Sequence, residues 1–210
     1  MKAIPTIYRG IKYRSRLEAK WAMFFDEVGL SYHYELEAFN LGNESYLPDF
    51  FIPELSTWIE IKPIAPTESE WRKAELLLLG NTKNYKKENV AILYGRPWLD
   101  QKGPEYRFLN LYPQLGLHEG ETEGTDQLIT EKNITLEYIG VDEQVFVECK
   151  RCHKIQFDSL GMHFPELTVD GYGGIHGCCD RESATSPFSS RLEAAYLKAS
   201  QHDFSTNKSI

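Results

Sequence analysis

The sequence lacks any apolar run long enough to cross a membrane. Its longest aliphatic stretch is "LLLL" at residues 76–79, whereas a spanning helix needs about 20 predominantly apolar residues. The N-terminal segment "MKAIPTIYRG" also lacks the apolar core of a signal peptide. We therefore expect the protein to function in a cytoplasm.

Cysteine is scarce, with four residues in a chain of 210. Disulfides are rare in a reducing cytoplasm, which leaves metal binding or burial as the two interpretations of these side chains. Apolar residues are not scarce, because hydrophobic residues make up 41% of the chain and aromatic residues 13%. This content is sufficient for a core of ordinary size and excludes a disordered or fibrous protein.

The acidic excess of the chain is confined to one stretch. The formal net charge is −8, yet residues 1–112 carry 15 basic and 15 acidic groups, and residues 149–210 carry seven of each. Residues 113–148 carry one basic and nine acidic groups. Because this part of the chain offers little to bury, we interpret residues 113–143 as an acidic linker or loop.

Hydrophobic periodicity assigns alternating helices and strands to the N-terminal half. The predicted elements are a helix over 15–28, strands over 31–39, 45–52 and 57–62, a helix from about residue 67, and a continuously apolar strand over 89–95. A strand, helix, strand crossover favours a sheet that is covered on both faces. The sequence therefore predicts an α/β fold with a mixed sheet flanked by helices.

The pentapeptide "SRLEA" occurs twice, at residues 15–19 and 190–194. In both copies a serine and a glutamate three residues apart have the spacing of a capping box, in which each side chain satisfies a free backbone N–H of the first helical turn. We therefore predict a helix start at each copy. Only the first copy precedes strands with paired charges, so we interpret the second as helix-start chemistry alone.

Three charged residues lie in a segment that is otherwise typical of a half-buried hairpin, "YLPDFFIPELSTWIEIKP". A turn centred within "PELS" pairs residues whose numbers sum to 109, which places Asp49 opposite Glu60. Facing Cβ atoms on neighbouring strands are about 4.5–5.5 Å apart, and Lys62 lies on the same face as Glu60. The sequence therefore predicts that the three charges converge.

Two carboxylates at that separation repel each other by roughly 3 kcal/mol at an effective dielectric constant near 20. Lys62 can offset this repulsion alone, as a buried ion pair. A divalent cation such as Mg²⁺ or Mn²⁺ suits the two carboxylates better, and it can activate a water and neutralise charge on a phosphate. The hairpin alone leaves both an ion-pair cluster and a catalytic site open.

The charged hairpin resembles the signature of the PD-(D/E)XK nucleases. "PDF" is followed, eleven residues after its Asp, by "EIK", and the preceding "YRSRLEAKWAMFFDEVGLSYHYELEAF" is similar to the same segment in small phage and bacterial members. The resemblance covers about residues 5–95. It implies a restriction-endonuclease-like core in a bacterial cell or phage-infected host, with a metal on Asp49 and Glu60 and with Lys62 acting on the water.

The same resemblance implies two further site groups. The main-chain carbonyl of Ile61 would be a metal ligand, and Glu18 on the first helix would join the carboxylates. Glu18 also has a competing role, because Ser15 and Glu18 have the spacing of a capping box. Its helical face borders the apolar stripe, so the side chain can also point toward the sheet.

Arg14, Arg16 and Lys20 belong to a basic N-terminal segment. The first 20 residues carry six basic groups and one acidic group. Such side chains can guide a phosphate backbone, and a solvated charged face is an equally good interpretation. The partner that we expect is DNA. The sequence does not give the oligomeric state.

The four cysteines follow the predicted nuclease core. Cys149 and Cys152 form a CxxC turn between two strand-like stretches in "QVFVECKRCHKIQF", and His176, Cys178 and Cys179 lie in "GGIHGCCD". Four of these five side chains can hold a structural Zn²⁺, and we favour Cys149, Cys152, His176 and Cys179 because the last two repeat the CxxC spacing. Cys178 is a substitute ligand. Buried cysteines without metal are the alternative.

The sequence thus predicts four parts, which are a nuclease core over 1–112, the acidic linker over 113–143, a small β-rich zinc-binding segment over 144–182, and a C-terminal helix with a polar tail over 183–210. The predicted function is metal-dependent hydrolysis of DNA phosphodiester bonds. The alternative is a non-catalytic nucleic-acid-binding adaptor with a nuclease-like fold and a zinc module. An RNA-processing enzyme would differ only in substrate.

Overall fold

The computed structural model describes most of the N-terminal half of the chain and parts of the C-terminal half. The described ranges are 3–42, 44–83, 88–97, 108–114, 138–159, 185–186 and 188–206. Within these ranges, none of the helices combines the length and the apolarity that a membrane span requires.

Helices and strands both contribute to the described fold. The helices are α1 (Arg16–Val28), α2 (Glu68–Lys83) and α3 (Ser190–Gln201). The strands are β1 (Thr6–Tyr8), β2 (Ile11–Tyr13), β3 (His33–Tyr34), β4 (Phe39–Asn40), β5 (Ser45–Tyr46), β6 (Phe50–Ile52), β7 (Thr57–Lys62), β8 (Asn89–Tyr94), β9 (Phe108–Gln114), β10 (Tyr138–Cys149), β11 (Ile155–Ser159) and β12 (Thr185–Ser186). Short 3₁₀ turns lie at Pro53–Leu55 and Phe204–Thr206.

Most of the strands belong to one eight-stranded sheet. Its order is β11-β10-β9-β8-β7-β6-β3, with β12 beside β10, while β1 pairs with β2 and β4 with β5. β7 and β8 are parallel, because α2 carries the chain back between them, and the other neighbouring strands are antiparallel. The α/β class and the mixed sheet are therefore as predicted.

Two apolar clusters cover alternate residues of the central strands. Ile59 and Ile61 pack in the cluster that contains the apolar residues of α1. Trp58 packs in a second cluster with Leu77 and Leu78 of α2. Because successive strand side chains point to opposite faces, α1 and α2 cover opposite faces of the sheet. Glu60 and Lys62 have the same parity as Trp58, and so lie on the α2 face.

The predicted register of the charged hairpin is confirmed. Phe50 pairs with Ile59 and Ile52 pairs with Thr57, so the paired residue numbers sum to 109. A 3₁₀ turn at Pro53–Leu55 connects the strands, and the N–H of Ser56, whose φ is 47°, donates to the carbonyl of Pro53 at 3.1 Å.

The predicted ends of α1 are also confirmed. Ser15 is the N-cap, and its Oγ accepts a hydrogen bond from the N–H of Glu18 at 3.1 Å. Gly29 ends the helix with a φ of 68°, and its N–H donates to carbonyls of the last turn. Between these ends, Phe24 and Phe25 are fully buried. Burying an aromatic side chain of this size stabilises the fold by about 1.5–3 kcal/mol.

The second "SRLEA" copy starts a helix, but its predicted capping box is wrong. The N-cap of α3 is Ser189, whose Oγ accepts from the N–H of Leu192 at 3.3 Å, and Glu193 is exposed. Two consecutive serines offer two possible caps. With Ser189 as the cap, Leu192 is the third residue of the helix, and it is fully buried.

The two predicted strands at 31–39 and 45–52 are interrupted. In the first, only His33–Tyr34 joins the large sheet, because Glu35 has a φ of 48° and turns the backbone away. The N–H of Glu35 then donates to the carbonyl of Asp49 at 2.9 Å. In the second, Pro48 has no N–H to donate and separates β5 from β6.

The C-terminal part of the described chain packs on the N-terminal part. β9 and β10 extend the large sheet from β8, so strands cross the predicted boundaries at residues 112 and 143. Leu192, Ala195 and Tyr196 of α3 join the cluster that contains α1. Much of the predicted linker and of the zinc segment lies outside the described residues, and the division into four parts stays a prediction.

Candidate active site

The charged residues of the hairpin converge at one end of β7. Asp49 directly precedes β6, and continuing the register by one residue places it opposite Glu60. Asp49 is 3% exposed and Glu60 is 9% exposed. Oδ2 of Asp49 accepts a hydrogen bond from the backbone N–H of Ile61 at 2.7 Å. This bond fixes one oxygen of Asp49 against the neighbouring strand.

Lys62 lies between two carboxylates. Its Nζ is 2.8 Å from Oε1 of Glu60 and 3.0 Å from Oε1 of Glu70, which lies in the first turn of α2. Burial on its own would lower the pKa of Lys62, but the charges and hydrogen bonds of Glu60 and Glu70 raise it above its usual range. The structure therefore brings Asp49, Glu60 and Lys62 together with a carboxylate that the sequence analysis did not identify.

Glu18 hydrogen-bonds to the N-cap residue of its helix and also lies beside the site. Its Oε1 accepts from Oγ of Ser15 at 2.6 Å, and its Oε2 accepts from the Tyr34 hydroxyl at 2.6 Å and from the N–H of Arg14 at 3.1 Å. The side chain is buried, and its negative charge contributes to the raised pKa of Asp49. Only the Ser15 half of the predicted capping box is formed, because the Glu18 carboxylate accepts from the N–H of Arg14 and not from that of Ser15.

Asp49 lies in an environment with excess negative charge. Its burial, followed by the charges of Glu60 and Glu18, raises its pKa to about 8, although the Ile61 N–H and Arg14 oppose the shift. Tyr46 lies near the same carboxylates, and its burial together with the charges of Glu60 and Asp49 raises its pKa as well. Such a concentration of buried carboxylates is typical of a functional site.

Arg14 neutralises part of this charge. Its Nη2 is 2.5 Å from Oδ1 of Asp49 and its Nε is 2.7 Å from Oε1 of Glu35. The side chain is 53% exposed, so it reaches the buried carboxylate from the solvent side. Glu35 has a positive φ of 48°, a conformation that the sequence did not predict.

One oxygen in the cluster lacks a well-placed hydrogen-bond donor. Oε2 of Glu60 is buried and has no donor at good hydrogen-bonding geometry within the described part of the chain, although the Tyr46 hydroxyl lies near the Glu60 carboxylate, and a hydrogen bond between the two side chains contributes to the raised pKa of Tyr46. A buried carboxylate oxygen without a well-placed donor is costly, and a divalent cation is a partner that satisfies it. Both oxygens of Asp49 already have partners, Arg14 and the Ile61 N–H, so a cation would share or replace the arginine there.

Few side chains are available as metal ligands in this cluster. Across the described ranges, no group of three or more His, Cys, Asp or Glu side chains is arranged to hold a metal ion. A cation at this site would therefore bind to two carboxylates, with the remaining ligands coming from the main chain, water or substrate. This ligand set fits Mg²⁺, which usually keeps several waters. The predicted role of the Ile61 carbonyl stays a prediction.

The three basic residues predicted to contact DNA do not form one free patch. Arg14 is engaged by Asp49 and Glu35, and Nζ of Lys20 donates to the carbonyl of Ser200 at 2.6 Å. Partial burial, followed by the charge of Arg96, lowers the pKa of Lys20. Arg16 is exposed. Their contact with a phosphate backbone stays a prediction.

The CxxC turn lies between β10 and β11, as the sequence predicts. Cys149 is buried at the end of β10, and Cys152 is exposed. The N–H of His153, whose φ is 60°, donates to the Cys149 carbonyl at 2.9 Å and closes the turn. His176, Cys178 and Cys179 lie outside the described residues, so the zinc site stays a prediction.

Comparisons with known proteins do not assign this chain to a family. No protein-family model, no curated protein and no solved structure matches it. The interpretation of the site therefore rests on the motif and on the geometry at the end of β7.

Proposed function

We propose that the protein is a metal-dependent endodeoxyribonuclease of the PD-(D/E)XK type with a restriction-endonuclease-like core. The observation that supports this proposal most strongly is the convergence of Asp49, Glu60 and Lys62 at one end of β7, where both carboxylates are buried. Burying two carboxylates side by side is costly, and a bound divalent cation would offset that cost.

Glu60 and Asp49 would hold Mg²⁺ or Mn²⁺, with the Ile61 carbonyl as a further ligand. When bound, the cation would activate a water and neutralise charge on the scissile phosphate. The residues of the chain supply the remaining requirements. Burial of Asp49 and Glu60 keeps bulk water away from the carboxylates and strengthens their interaction with a cation.

Lys62 would contact the substrate phosphate or the attacking water. An ammonium has three N–H donors, and Glu60 and Glu70 accept two of them, which leaves one donor for substrate. Glu18 adds negative charge next to Asp49, and its hydrogen bonds to Ser15 and Tyr34 hold it in place. Release of Arg14 from Asp49 would free both a ligand oxygen and a phosphate-binding guanidinium.

The proposal extends to the C-terminal part of the chain. A structural Zn²⁺ on Cys149, Cys152 and two of His176, Cys178 and Cys179 would close the turn between β10 and β11. The proposed partner is DNA and the proposed location is the cytoplasm of a bacterial cell or phage-infected host. Arg14, Arg16 and Lys20 are the proposed contacts to the phosphate backbone.

Cleavage assays test the proposed activity. Supercoiled, linear, single-stranded and branched DNA, with RNA counterparts, would be incubated with Mg²⁺ or Mn²⁺ and with EDTA. We expect metal-dependent cutting of DNA that Glu60→Gln and Lys62→Ala each reduce by at least about 100-fold. Glu44→Gln is a matched control, because Glu44 forms an exposed ion pair with Lys73 and should leave cutting unchanged.

The second candidate function is a non-catalytic nucleic-acid-binding adaptor. The ion pair between Arg14 and Asp49 favours it, because the guanidinium contacts a carboxylate that a metal would need. DNA binding without cutting under any metal condition, by a wild-type protein with the folded-state circular dichroism spectrum, would support the adaptor and reject the nuclease.

A further inference from the structure

Glu70 contacts the proposed site although the signature motif does not include it. Its Oε1 is 3.0 Å from Nζ of Lys62, which is also 2.8 Å from Oε1 of Glu60. The side chain of Lys62 is 21% exposed and that of Glu70 is 32% exposed. An isolated surface ion pair contributes little, but this lysine is mostly buried and contacts two carboxylates.

The topology of the sheet explains why Glu70 reaches Lys62. Lys62 is the last residue of β7, and α2 begins six residues later at Glu68 before returning the chain to the parallel strand β8. The N-terminus of α2 therefore lies at the end of β7 where Asp49 and Glu60 meet. Lys62 points to the sheet face that α2 covers, as its parity with Trp58 requires.

The carboxylate of Glu70 is itself held in one orientation. Its Oε2 accepts from both the backbone N–H and the hydroxyl of Thr67, each at 2.8 Å. Thr67 directly precedes the helix, and a glutamate at the third helical position that bonds back to the residue before the helix is half of a capping box. One oxygen thus caps the helix, and the other is directed at the lysine.

We propose that Glu70 is a positioning residue, which fixes the Lys62 ammonium beside Glu60 so that its remaining N–H donor meets the substrate in one orientation. This inference rests on the proposed nuclease function. A lysine side chain has a long flexible stem, and two carboxylates on different elements restrict it more than Glu60 alone would. Small errors in the placement of a catalytic group reduce rates strongly.

The alternative is that Glu70 only caps α2 through its hydrogen bonds from Thr67. Glu70→Gln separates the two roles, because the amide oxygen of glutamine can still accept from Thr67 while the charge facing Lys62 is lost. Glu68→Gln is the matched control. Glu68 lies in the same helical turn and is exposed. Glu68→Gln therefore removes one negative charge from the first turn of α2, as Glu70→Gln does.

Two measurements on the full chain test the inference. The first is the NMR order parameter of the Lys62 Cε group without DNA or metal, which should fall in Glu70→Gln and stay unchanged in Glu68→Gln. The second is the steady-state kinetics of DNA cleavage. We expect Glu70→Gln to lower kcat by about 10-fold to 100-fold with little change in KM, and Glu68→Gln to change kcat by less than about twofold.

The outcomes separate this inference from the proposed function. If the wild type cuts DNA but Glu70→Gln retains both full kcat and a wild-type order parameter at Lys62, positioning by Glu70 is refuted and the nuclease stands. If kcat falls equally in both variants, a general charge effect replaces the inference. If the wild type cuts no DNA, the proposed function fails and the catalytic role of Glu70 fails with it.

Discussion

The two "SRLEA" segments are identical in sequence and differ in what surrounds them. In the first, Ser15 caps α1 and hydrogen-bonds to Glu18, which is buried beside Asp49. At the second, Ser189, which directly precedes the repeat, caps α3, and Glu193 is exposed. The comparison teaches that five identical residues do not fix the N-cap, and that the role of the glutamate depends on whether a neighbouring strand carries charges.

The leucines of the two copies should differ most in stability. Leu192 is fully buried, while Leu17 is only partly buried at the edge of the same cluster. Leu192→Ala should lower the free energy of unfolding by about 2–5 kcal/mol, and Leu17→Ala by about 1 kcal/mol. Urea denaturation followed by tryptophan fluorescence measures both. Equal losses would show that the two helices pack alike, against the comparison.

The glutamates of the two copies should differ in their effect on activity. Glu18→Gln keeps the shape of the side chain and removes its charge from the neighbourhood of Asp49. It should reduce the rate of DNA cleavage by about 10-fold to 100-fold, whereas Glu193→Gln should change it by less than about twofold. Single-turnover cleavage assays measure this. A wild-type rate for Glu18→Gln would reduce Glu18 to a helix cap.

The serines test the shifted cap of α3. Ser15→Ala and Ser189→Ala each remove an N-cap and should lower the free energy of unfolding by about 1 kcal/mol. Ser190→Ala should have an effect within about 0.5 kcal/mol, because Ser190 lies inside the helix. Chemical denaturation of the three variants measures this. A larger loss for Ser190→Ala than for Ser189→Ala would restore the capping box that the repeat predicts.

Thr67 and Glu70 form a third helix cap, at the start of α2. Among these predictions it has the smallest expected effect on stability, and that effect depends on pH. Partial burial would raise the pKa of Glu70, but hydrogen bonds from Thr67 and Lys62 lower it from 4.5 to about 2. A carboxylate whose pKa is lowered in the folded state stabilises the fold at every pH above its pKa in the unfolded chain. This stabilisation is lost as the pH falls from about 4.5 toward 2.

Glu70→Gln isolates that pH dependence. The loss of stability between pH 5 and pH 2.5 should be smaller in this variant than in the wild type, as measured by thermal unfolding at each pH. Glu193→Gln, which removes an exposed carboxylate of α3, is the control. An unaltered pH dependence in Glu70→Gln would mean that the hydrogen bonds from Thr67 do not favour the ionised form.

The parts of the fold that local rules determine were predictable from sequence. Period-two alternation and a four-residue turn were sufficient to give the register that places Asp49 opposite Glu60. Ser15 and Gly29 marked the ends of α1, since each has a local hydrogen-bonding or conformational role.

The rest depends on tertiary contacts that the sequence does not show. Nothing in "YHYELEAF" indicates that Glu35 adopts a positive φ and turns its carboxylate toward Arg14. The repeat predicted Ser190 as the cap of α3, whereas the structure has the adjacent Ser189. Glu70 could have been identified from the Thr-x-x-Glu spacing, but its contact with Lys62 depends on where the crossover places α2.

Calorimetric titration of Mn²⁺ tests the central claim most directly, because it asks whether the carboxylates at the end of β7 hold a divalent cation. We predict a binding site in the wild type that is lost in Glu60→Gln and retained in Glu193→Gln. Absence of binding by the wild type, or equal binding by the wild type and Glu60→Gln, would contradict the account and leave the charged hairpin as an ion-pair cluster.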